Sequence, residues 1–373
     1  MKLKQPKFAA LTIAATLTSG AAVASASVGA GPHFLSQFHM ITKLASTVPR
    51  RGPAKGDQNP YGVAVVKRSV GKLVKGDVLV SNFNNAKNQQ GTGSSIMQVS
   101  PSGHAHVFAV IAPPTASKAV GLTTALVELP RGFVVVGNLP APGGKPAHMT
   151  AGALTVLNSR GKVIKTITAK DINGPWDMTA VAQKKTATLF VTNVLNGTVK
   201  AKGATVNKGT VVRIGLKLSA NSAKVRSNKV IATGFGEHTD PNALVVGPTG
   251  VGLGSNGTLY VADSAANRIA AIPNAMARTS VLKGGGMDVS SGDHLNDPLG
   301  LAIAPDGHII TMNGGDGNAV ETTPSTGQQF VKTLIRNGAG DLFGLAIAPK
   351  GAGLYFVNDI GSGPDANSLE FLH

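Results

Sequence analysis

The sequence of 373 residues contains no cysteine. Disulfides and thiolate metal sites are therefore excluded, so packing and sheet hydrogen bonds must hold the fold together. Aromatic residues are also scarce, at 4%, and Trp176 is the single tryptophan. Because no nucleic-acid recognition motif accompanies them, we predict no specific nucleic-acid partner.

The common catalytic motifs are missing as well. The sequence has no GxxxxGK phosphate loop, no HExxH motif and no GxSxG nucleophile elbow. Residues 252–257 match the GxGxxG dinucleotide fingerprint, but they lie between two predicted strands rather than before a helix. We therefore predict a hairpin at residues 252–257. We predict no cofactor for the protein, although a bound divalent cation stays an alternative.

Residues 1–26 have the features of a secretory signal. Three lysines precede a short apolar run, which ends in the small residues Ala24, Ser25 and Ala26. No later stretch of about 20 apolar residues exists, so we expect no membrane span. An exported domain, periplasmic or extracellular, is predicted to begin near Ser27.

Acidic residues are unevenly distributed over that domain. Ser27–Val230 contains 26 Lys and Arg against 5 Asp and Glu, whereas Ile231–His373 contains 6 against 13. A solvated basic surface is the simplest interpretation of the first part. An anionic surface or polyanion is the alternative partner.

What the sequence does contain is a repeat of six units, each about 45 to 65 residues long. Each unit has two apolar runs bounded by Gly, Pro and Asn, which are strand signals. The first runs are NPYGVAVV, VGLTTALVELP, GPWDMTAV, DPNALVVG, DPLGLAIAP and DLFGLAIAP, starting at Asn59, Val120, Gly174, Asp240, Asp297 and Asp341. The second runs are DVLVSN, GFVVVGN, TLFVTN, TLYVADS, HIITMN and GLYFVND.

Hairpins such as SIMQVSPSGHAHVFAV add an outer pair of strands to these units. Four strands per unit predict an all-β, six-bladed β-propeller that forms one domain over residues 27–373. The last unit has only three strands of its own, ending in SLEFLH. We therefore predict that residues 38–46 supply its fourth strand and close the ring.

The repeats resemble those of NHL-type six-bladed propellers, whose unit reads roughly Pro-x-Gly-Leu-Ala-hydrophobic-x-Pro-x-Gly, then Leu-Tyr-Val-x-Asp-x-x-x-Asn-Arg-Ile. The fourth unit carries the second half as LYVADSAANRI, Leu259–Ile269. The first half is carried by the fifth unit at Pro298, Gly300, Leu301, Ala302, Pro305 and Gly307. The chain is also similar to secreted bacterial proteins of this type. This resemblance implies a fold and export, and no activity.

Polar residues recur at two places in the units. The second runs end in Asn82, Asn138, Asn193, Asp263, Asn313 and Asn358, which we interpret as structural because every blade has one. The loops leading into the first runs are rich in acidic and polar residues, including Asp57, Asn59, Asp171, Asn173, Asp177, Glu237, His238, Asp240, Asp293, His294, Asn296, Asp297 and Asp341. Both sets belong to one mouth of the channel, which makes it the expected ligand face.

Three of the few aromatic residues occupy equivalent positions of their repeats, at the start of the predicted innermost strands and therefore at this mouth. We predict that Tyr61, Trp176 and Phe343 project inward, with Asp177 and Asn242 beside them, as candidate ligand-binding residues. Aromatics with a few polar groups are typical of sites for small organic ligands. The alternative is that they only plug a narrow channel.

A metal-dependent hydrolase or lyase is the second hypothesis. Gluconolactonase-like enzymes have the same six-bladed architecture. The resemblance implies a cation bound by Glu, Asn and Asp side chains of the inner strands. In that family one of these ligands directly follows the proline that opens a repeat. Asn242 keeps that pattern, but the equivalents Tyr61, Trp176, Leu299 and Phe343 are apolar or aromatic. The metal site is therefore unknown.

His238 and His294, in adjacent units, are a further candidate pair for a divalent ion, or simply exposed loop histidines. The leading interpretation is an exported binding or scaffold propeller without established catalysis. We expect it to be a monomer that binds an unknown small molecule or protein at the channel mouth or on the basic flank.

Overall fold

A computed structural model describes residues 33–113, 119–361 and 366–373. The predicted secretory signal, residues 1–26, lies outside the described residues. The described chain is an all-β, six-bladed propeller with antiparallel blades, as predicted. Within it, no helix is long and apolar enough to cross a membrane.

The first strand along the chain, β1 (Ile41–Ser46), belongs to the last blade. Blade 1 consists of β2 (Gln58–Val65), β3 (Val78–Asn84), β4 (Ser95–Val99) and β5 (Ala105–Val110), and blade 2 of β6 (Leu122–Leu129), β7 (Phe133–Asn138), β8 (Ala153–Leu157) and β9 (Val163–Ile167). Blade 3 consists of β10 (Pro175–Gln183), β11 (Thr186–Asn193), β12 (Val206–Leu218), β13 (Ala223–Asp240) and a short fifth strand, β14 (Leu244–Val246).

The later blades have four strands each. Blade 4 consists of β15 (Pro248–Leu253), β16 (Leu259–Asp263), β17 (Arg268–Ile272) and β18 (Met287–Ser291), and blade 5 of β19 (Pro298–Ile303), β20 (Ile309–Asn313), β21 (Asn318–Thr322) and β22 (Gln329–Thr333). Blade 6 combines β23 (Leu342–Ile347), β24 (Leu354–Asn358) and β25 (Ser368–Leu372) with β1.

Helical structure in the described chain is limited to single turns. A four-residue helix, α1 (Thr198–Ala201), follows β11. Short 3-10 turns occupy Phe34–Gln37, Pro130–Gly132, Pro142–Gly144, Pro146–His148, Ser264–Ala266 and Pro349–Gly351.

The first strand of each blade lines the central channel, where neighbouring backbones approach closely. A Cβ atom at Gly344 in β23 would lie 1.9 Å from the carbonyl oxygen of Tyr61 in β2. One at Gly300 in β19 would lie 2.2 Å from the carbonyl oxygen of Phe343. Only glycine fits at these positions, which explains why the repeat has glycine there.

Large apolar side chains fill the spaces between blades. Fully buried phenylalanines occur in several blades, at positions 83, 108, 133, 190, 235 and 356. Since each blade buries both faces, its inner strands are nearly continuous apolar runs rather than alternating ones. This packing replaces the disulfides that the sequence does not allow.

The ring closes as predicted through the N-terminal strand. β1 pairs antiparallel with β25, from Ile41 opposite Leu372 to Ser46 opposite Ser368. Before it, Phe34 and Leu35 are buried between blades 5 and 6. The observed strand begins three residues later than the predicted segment 38–46.

The fourth unit begins later than the sequence suggested. DPNALVVG is not the inner strand of blade 4, because Asp240 Oδ1 accepts the backbone N–H groups of Asn242 and Ala243, and this Asx turn sends the chain back as β14. The inner strand is β15, which starts at Pro248. The GxGxxG run ends in the β15–β16 hairpin turn, as predicted, where Gly254 N–H bonds the Thr258 carbonyl.

Candidate functional site

The aromatic mouth, which we define by Tyr61, Trp176 and Phe343, is the end of the channel where the inner strands begin. In blades 2 to 6 the first inner-strand residue pairs with the Asx residue that ends the second strand, as Pro175 pairs with Asn193. In blade 1 the equivalent pair is Pro60 and Asn82, two residues inside the strand ends. The next residue therefore stands at the same height in all six blades. These six residues are Tyr61, Thr123, Trp176, Thr249, Leu299 and Phe343.

The Asx residues themselves hold the loops in place. Asn82 Nδ2 donates to the Thr47 carbonyl at 2.8 Å, and Asn138 Oδ1 accepts the Ala153 N–H at 2.8 Å. Asp57, one of the acidic loop residues, accepts the backbone N–H groups of Ser94 and Ser95 at 2.8 and 3.0 Å. These bonds support the structural interpretation of the recurring Asx residues.

The three aromatic side chains lie together. The ring of Tyr61 is 4.2 Å from that of Phe343 and 5.8 Å from that of Trp176, centroid to centroid. Phe83, on β3, also packs against this group. Its ring stacks on that of Tyr61, with centroids 4.4 Å apart, and lies roughly perpendicular to that of Trp176 at 5.6 Å. Trp176 is only 5% exposed, so the group is a packed wall rather than a set of free side chains.

A cavity of about 470 Å³ opens at this wall. The aromatic residues line it together with Leu299, which supplies a further apolar surface. Three carboxylates also line it, those of Asp240, Asp297 and Asp359. The cavity thus combines aromatic faces with several acidic groups.

Asn242 lines the same cavity but comes from a different element than expected. It lies in the β13–β14 turn and is exposed, and its carbonyl accepts a hydrogen bond from Gln90 Nε2 of blade 1. This contact joins blades 1 and 3 across the mouth. Four of the five predicted residues are therefore brought together.

Asp177 is the fifth, and the structure places it elsewhere. Its carboxylate lines a second cavity of about 390 Å³ that runs toward the opposite mouth. There Oδ1 accepts the Met178 N–H at 2.8 Å and Oδ2 accepts the Val251 N–H at 3.1 Å. Complete burial raises the pKa of Asp177 to about 8 despite these bonds.

Buried oxygen atoms at the aromatic mouth have no hydrogen-bond donor. In the described part of the chain these are Oδ1 of Asn59, Asn84 and Asp297 and Oε1 of Gln90. The amide groups of Asn84 and Gln90 already donate to Asn88 and Asn242, which fixes their orientation. Buried acceptors are normally satisfied, so polar side chains of this mouth are packed without complete hydrogen bonding.

The carboxylates of the mouth disfavour each other's ionisation. Burial, and then the charge of Asp341, raises the pKa of Asp359 to about 7. Burial, and then the charge of Asp240, also raises the pKa of Asp297. The pKa of Tyr61 is raised by burial and by the charges of Asp359 and Asp297, so these carboxylates act on the aromatic wall.

Sequence reasoning did not single out Asn84, Gln90 or Asp359. A signal existed, because Asn84 and Asp359 come one or two residues after the recurring Asx residues Asn82 and Asn358, at the mouth that the loops were predicted to share. Gln90 carries no such signal. It reaches the cavity from the long loop after β3.

The candidate histidine pair His238 and His294 does not form a metal-binding cluster with a third ligand. Among the described residues, one group of three such ligands converges, and it consists of His33, His308 and Glu321. The carboxylates of the aromatic mouth are not close enough to one another to form such a group.

Comparison with known proteins supports the fold. No family model matches the sequence, and no curated protein matches it. Among solved structures, the chain is similar to a luciferin-regenerating enzyme, with 10% identity over 89% of this chain and 94% of that one and a TM-score of 0.55.

It is also similar to a PQQ-bound aldose sugar dehydrogenase from Streptomyces coelicolor, with 14% identity over 89% of this chain and 98% of that one and a TM-score of 0.52. A gluconolactonase from Xanthomonas campestris gives 14% identity over 85% and 88% of the two chains, with a TM-score of 0.50. At these identities the similarities show the propeller fold alone, and the NHL-type resemblance stays a prediction.

Proposed function

We propose that the protein is an exported binding propeller, whose aromatic mouth holds a small organic molecule with a positively charged group. The observation that carries this proposal is the coincidence, in one cavity of about 470 Å³, of aromatic, carboxylate and amide side chains. A volume of this size is typical of small-molecule sites.

Each part of the cavity favours a cation. The face of an aromatic ring carries negative electrostatic potential and attracts a positive group within about 6 Å, and Trp176 and Phe343 line the cavity. Asp297 and Asp359 supply negative charge at the cavity. A cation would also offset the burial and the neighbouring charge of Asp341, which together raise the pKa of Asp359.

We assign the positive charge to an organic group rather than to a single metal ion. A hard cation requires several oxygen ligands at about 2.3–2.6 Å, and the carboxylates of the mouth alone do not bring three to one point. The equivalent positions of the six inner strands supply Tyr, Thr, Trp, Thr, Leu and Phe. This composition favours binding over the metal-dependent hydrolase of the second hypothesis.

Paired ligands of the same shape test the proposal. Choline and benzyltrimethylammonium would be titrated against Trp176 emission and by calorimetry, each beside its uncharged carbon analogue. We expect saturable binding of the cations, at least about tenfold tighter than that of the analogues, since a cation at an aromatic face is worth about 1–2 kcal/mol. Equal binding of the uncharged analogues, or binding of sugars and lactones alone, would refute the charge requirement.

A turnover assay separates binding from catalysis. A panel of lactones and esters would be incubated with the purified protein, with and without added calcium or zinc. We expect no hydrolysis above the rate without protein. Metal-dependent turnover that Asp297→Asn abolishes would replace the binding proposal with the hydrolase.

A further inference from the structure

A buried carboxylate far from the aromatic mouth anchors the segment that precedes the closing strand. Glu321, on β21 of blade 5, is completely buried. Its two oxygens accept the backbone N–H groups of Phe34 and Leu35 at 2.8 and 2.7 Å. One side chain of blade 5 therefore holds the chain where it enters the space between blades 5 and 6.

Two imidazoles face the same carboxylate oxygen. His308 Nδ1 lies 2.7 Å from Glu321 Oε1, and His33 Nδ1 lies 3.5 Å from it. The three candidate ligand atoms all lie within 4.8 Å of one another. No positively charged side chain other than these imidazoles is paired with Glu321 among the described residues.

The histidine rings are held in this arrangement by their surroundings. The ring of His33 stacks on Phe330 with centroids 4.8 Å apart, and its Nδ1 is buried without a hydrogen-bond partner in the described chain. His308 is largely buried, and Asp306 Oδ2 lies 3.6 Å from its Nδ1. A buried imidazole nitrogen that faces a carboxylate and has no hydrogen-bond partner can bind a proton or a metal ion.

We propose that His33, His308 and Glu321 bind one divalent transition-metal ion of the zinc class. Two nitrogens and one oxygen suit zinc, whereas calcium and magnesium prefer oxygen ligands alone. In tetrahedral zinc sites, bonds of about 2.0–2.2 Å place neighbouring ligand atoms about 3.3–3.5 Å apart. The pair His33 and Glu321 already has this spacing. His308 Nδ1, now 2.7 Å from the Glu321 oxygen, would move away from it to bind the same ion.

The remaining contacts match what a metal site requires outside the ligands. The N–H groups of Phe34 and Leu35 fix the orientation of the carboxylate, as outer hydrogen bonds commonly do for metal ligands. Asp306, which is outside the cluster of three, is near enough to His308 to bond a water molecule there. The metal would tie the N-terminal segment to blade 5 and so act as a clamp on ring closure.

The experiment uses the purified full chain, first treated with a chelator. Zinc chloride is then titrated by calorimetry, cobalt binding is followed by visible absorption, and melting is recorded with and without zinc. We expect one zinc per chain, a tetrahedral cobalt spectrum, and a higher melting temperature with zinc. His33→Gln and His308→Gln should each weaken zinc binding by about tenfold or more, as loss of a metal-site residue typically does.

Matched controls use the other histidine pair. The double variant His238→Gln/His294→Gln removes two loop imidazoles outside the cluster and should bind zinc as the unaltered protein does. Variants of Glu321 are avoided because they would also release two backbone N–H groups. No stoichiometric zinc binding, or zinc binding that His33→Gln and His308→Gln leave unchanged, would overturn the proposal and leave Glu321 as a hydrogen-bonded anchor.

Discussion

The rings of Tyr61 and Phe343 lie 4.2 Å apart, although Tyr61 belongs to the first blade and Phe343 to the last. The seam where the propeller closes therefore passes through the wall of the ligand cavity. Since Trp176 of blade 3 packs on the same Tyr61, an opening of the seam would disturb the only tryptophan. Ring closure and the candidate binding site are physically coupled.

Removal of the closing strand should therefore affect both stability and the site. Without the residues up to Ser46, β25 keeps β24 but loses its outer partner β1, and the space between blades 5 and 6 loses Phe34 and Leu35. We expect a lower melting temperature by circular dichroism, together with red-shifted Trp176 emission. An unchanged melting temperature would show that the ring does not depend on β1.

Point substitutions separate the contribution of packing from that of strand pairing. Leu35 is completely buried, whereas Met40 is 62% exposed. We expect Leu35→Ala to lower the free energy of unfolding by about 2–5 kcal/mol, as deletions of buried leucine do. Met40→Ala should change it by less than about 0.5 kcal/mol. Equal effects of the two changes in denaturant titrations would contradict the burial of Leu35 between blades.

The affinity for a cationic ligand should depend on pH. Asp359 has a pKa of about 7 in the free protein, raised by burial and by the charge of Asp341. Because a cation favours the ionised carboxylate, binding should strengthen as the pH rises through about 7 and level off above it.

Two variants test the origin of this pH dependence. Asp359→Asn should weaken binding and flatten the profile, whereas Asp341→Asn should move the midpoint to lower pH by removing the neighbouring charge. Calorimetric titrations between pH 5.5 and 8.5, a span of roughly 1.5 units on either side of the midpoint, would show both effects. A profile that Asp359→Asn leaves unaltered would assign the titration to another group.

Replacement of Trp176 requires a conservative variant. Its side chain belongs to a buried apolar cluster, so Trp176→Ala should cost about 3–5 kcal/mol of stability and would not leave the fold intact. Trp176→Phe keeps an aromatic face of weaker potential. We expect it to weaken binding of benzyltrimethylammonium by about 2- to 30-fold at a small cost in stability, because cation–π contacts are worth about 0.5–2 kcal/mol.

The uneven charge predicts the behaviour on anionic surfaces. Blades 1 to 3 fall in the basic part of the sequence and blades 4 to 6 mostly in the acidic part. Binding to vesicles rich in anionic lipid, if it occurs through the basic flank, should weaken steeply between about 0.05 and 0.5 M salt as screening increases. Binding in sedimentation assays that persists at high salt would exclude an electrostatic partner.

The number of blades could be predicted because every unit repeats a pair of apolar runs with a turn between them. The fourth unit was misplaced because DPNALVVG resembles DPLGLAIAP of the fifth. The two segments differ in structure because Asp240 Oδ1 accepts the backbone N–H groups of Asn242 and Ala243, which forms a turn in place of a channel strand. A sequence pattern cannot show which of two similar apolar runs pairs with the channel strands.

The candidate site was predictable only in part, for a related reason. Trp176 and Asp177 are neighbours in β10, but the pairing of β10 with β11 is irregular between Pro175 and Met178, which the sequence does not reveal. Asp177 therefore faces the other cavity, although the sequence places it beside the aromatic mouth. The cluster of His33, His308 and Glu321 gives no local signal, because it joins the first described residue to blade 5.

The pairing of residues 41–46 with residues 368–372 also constrains how the molecule is made. These contacts have the largest separation along the chain, and proteins dominated by such contacts fold slowly. A nascent chain can build five blades while β1 waits for β25, which follows the other strands along the chain. Until β25 is synthesised, β1 and the edge of the last blade remain open to other chains, so chaperone binding and aggregation should be greatest before β25 appears.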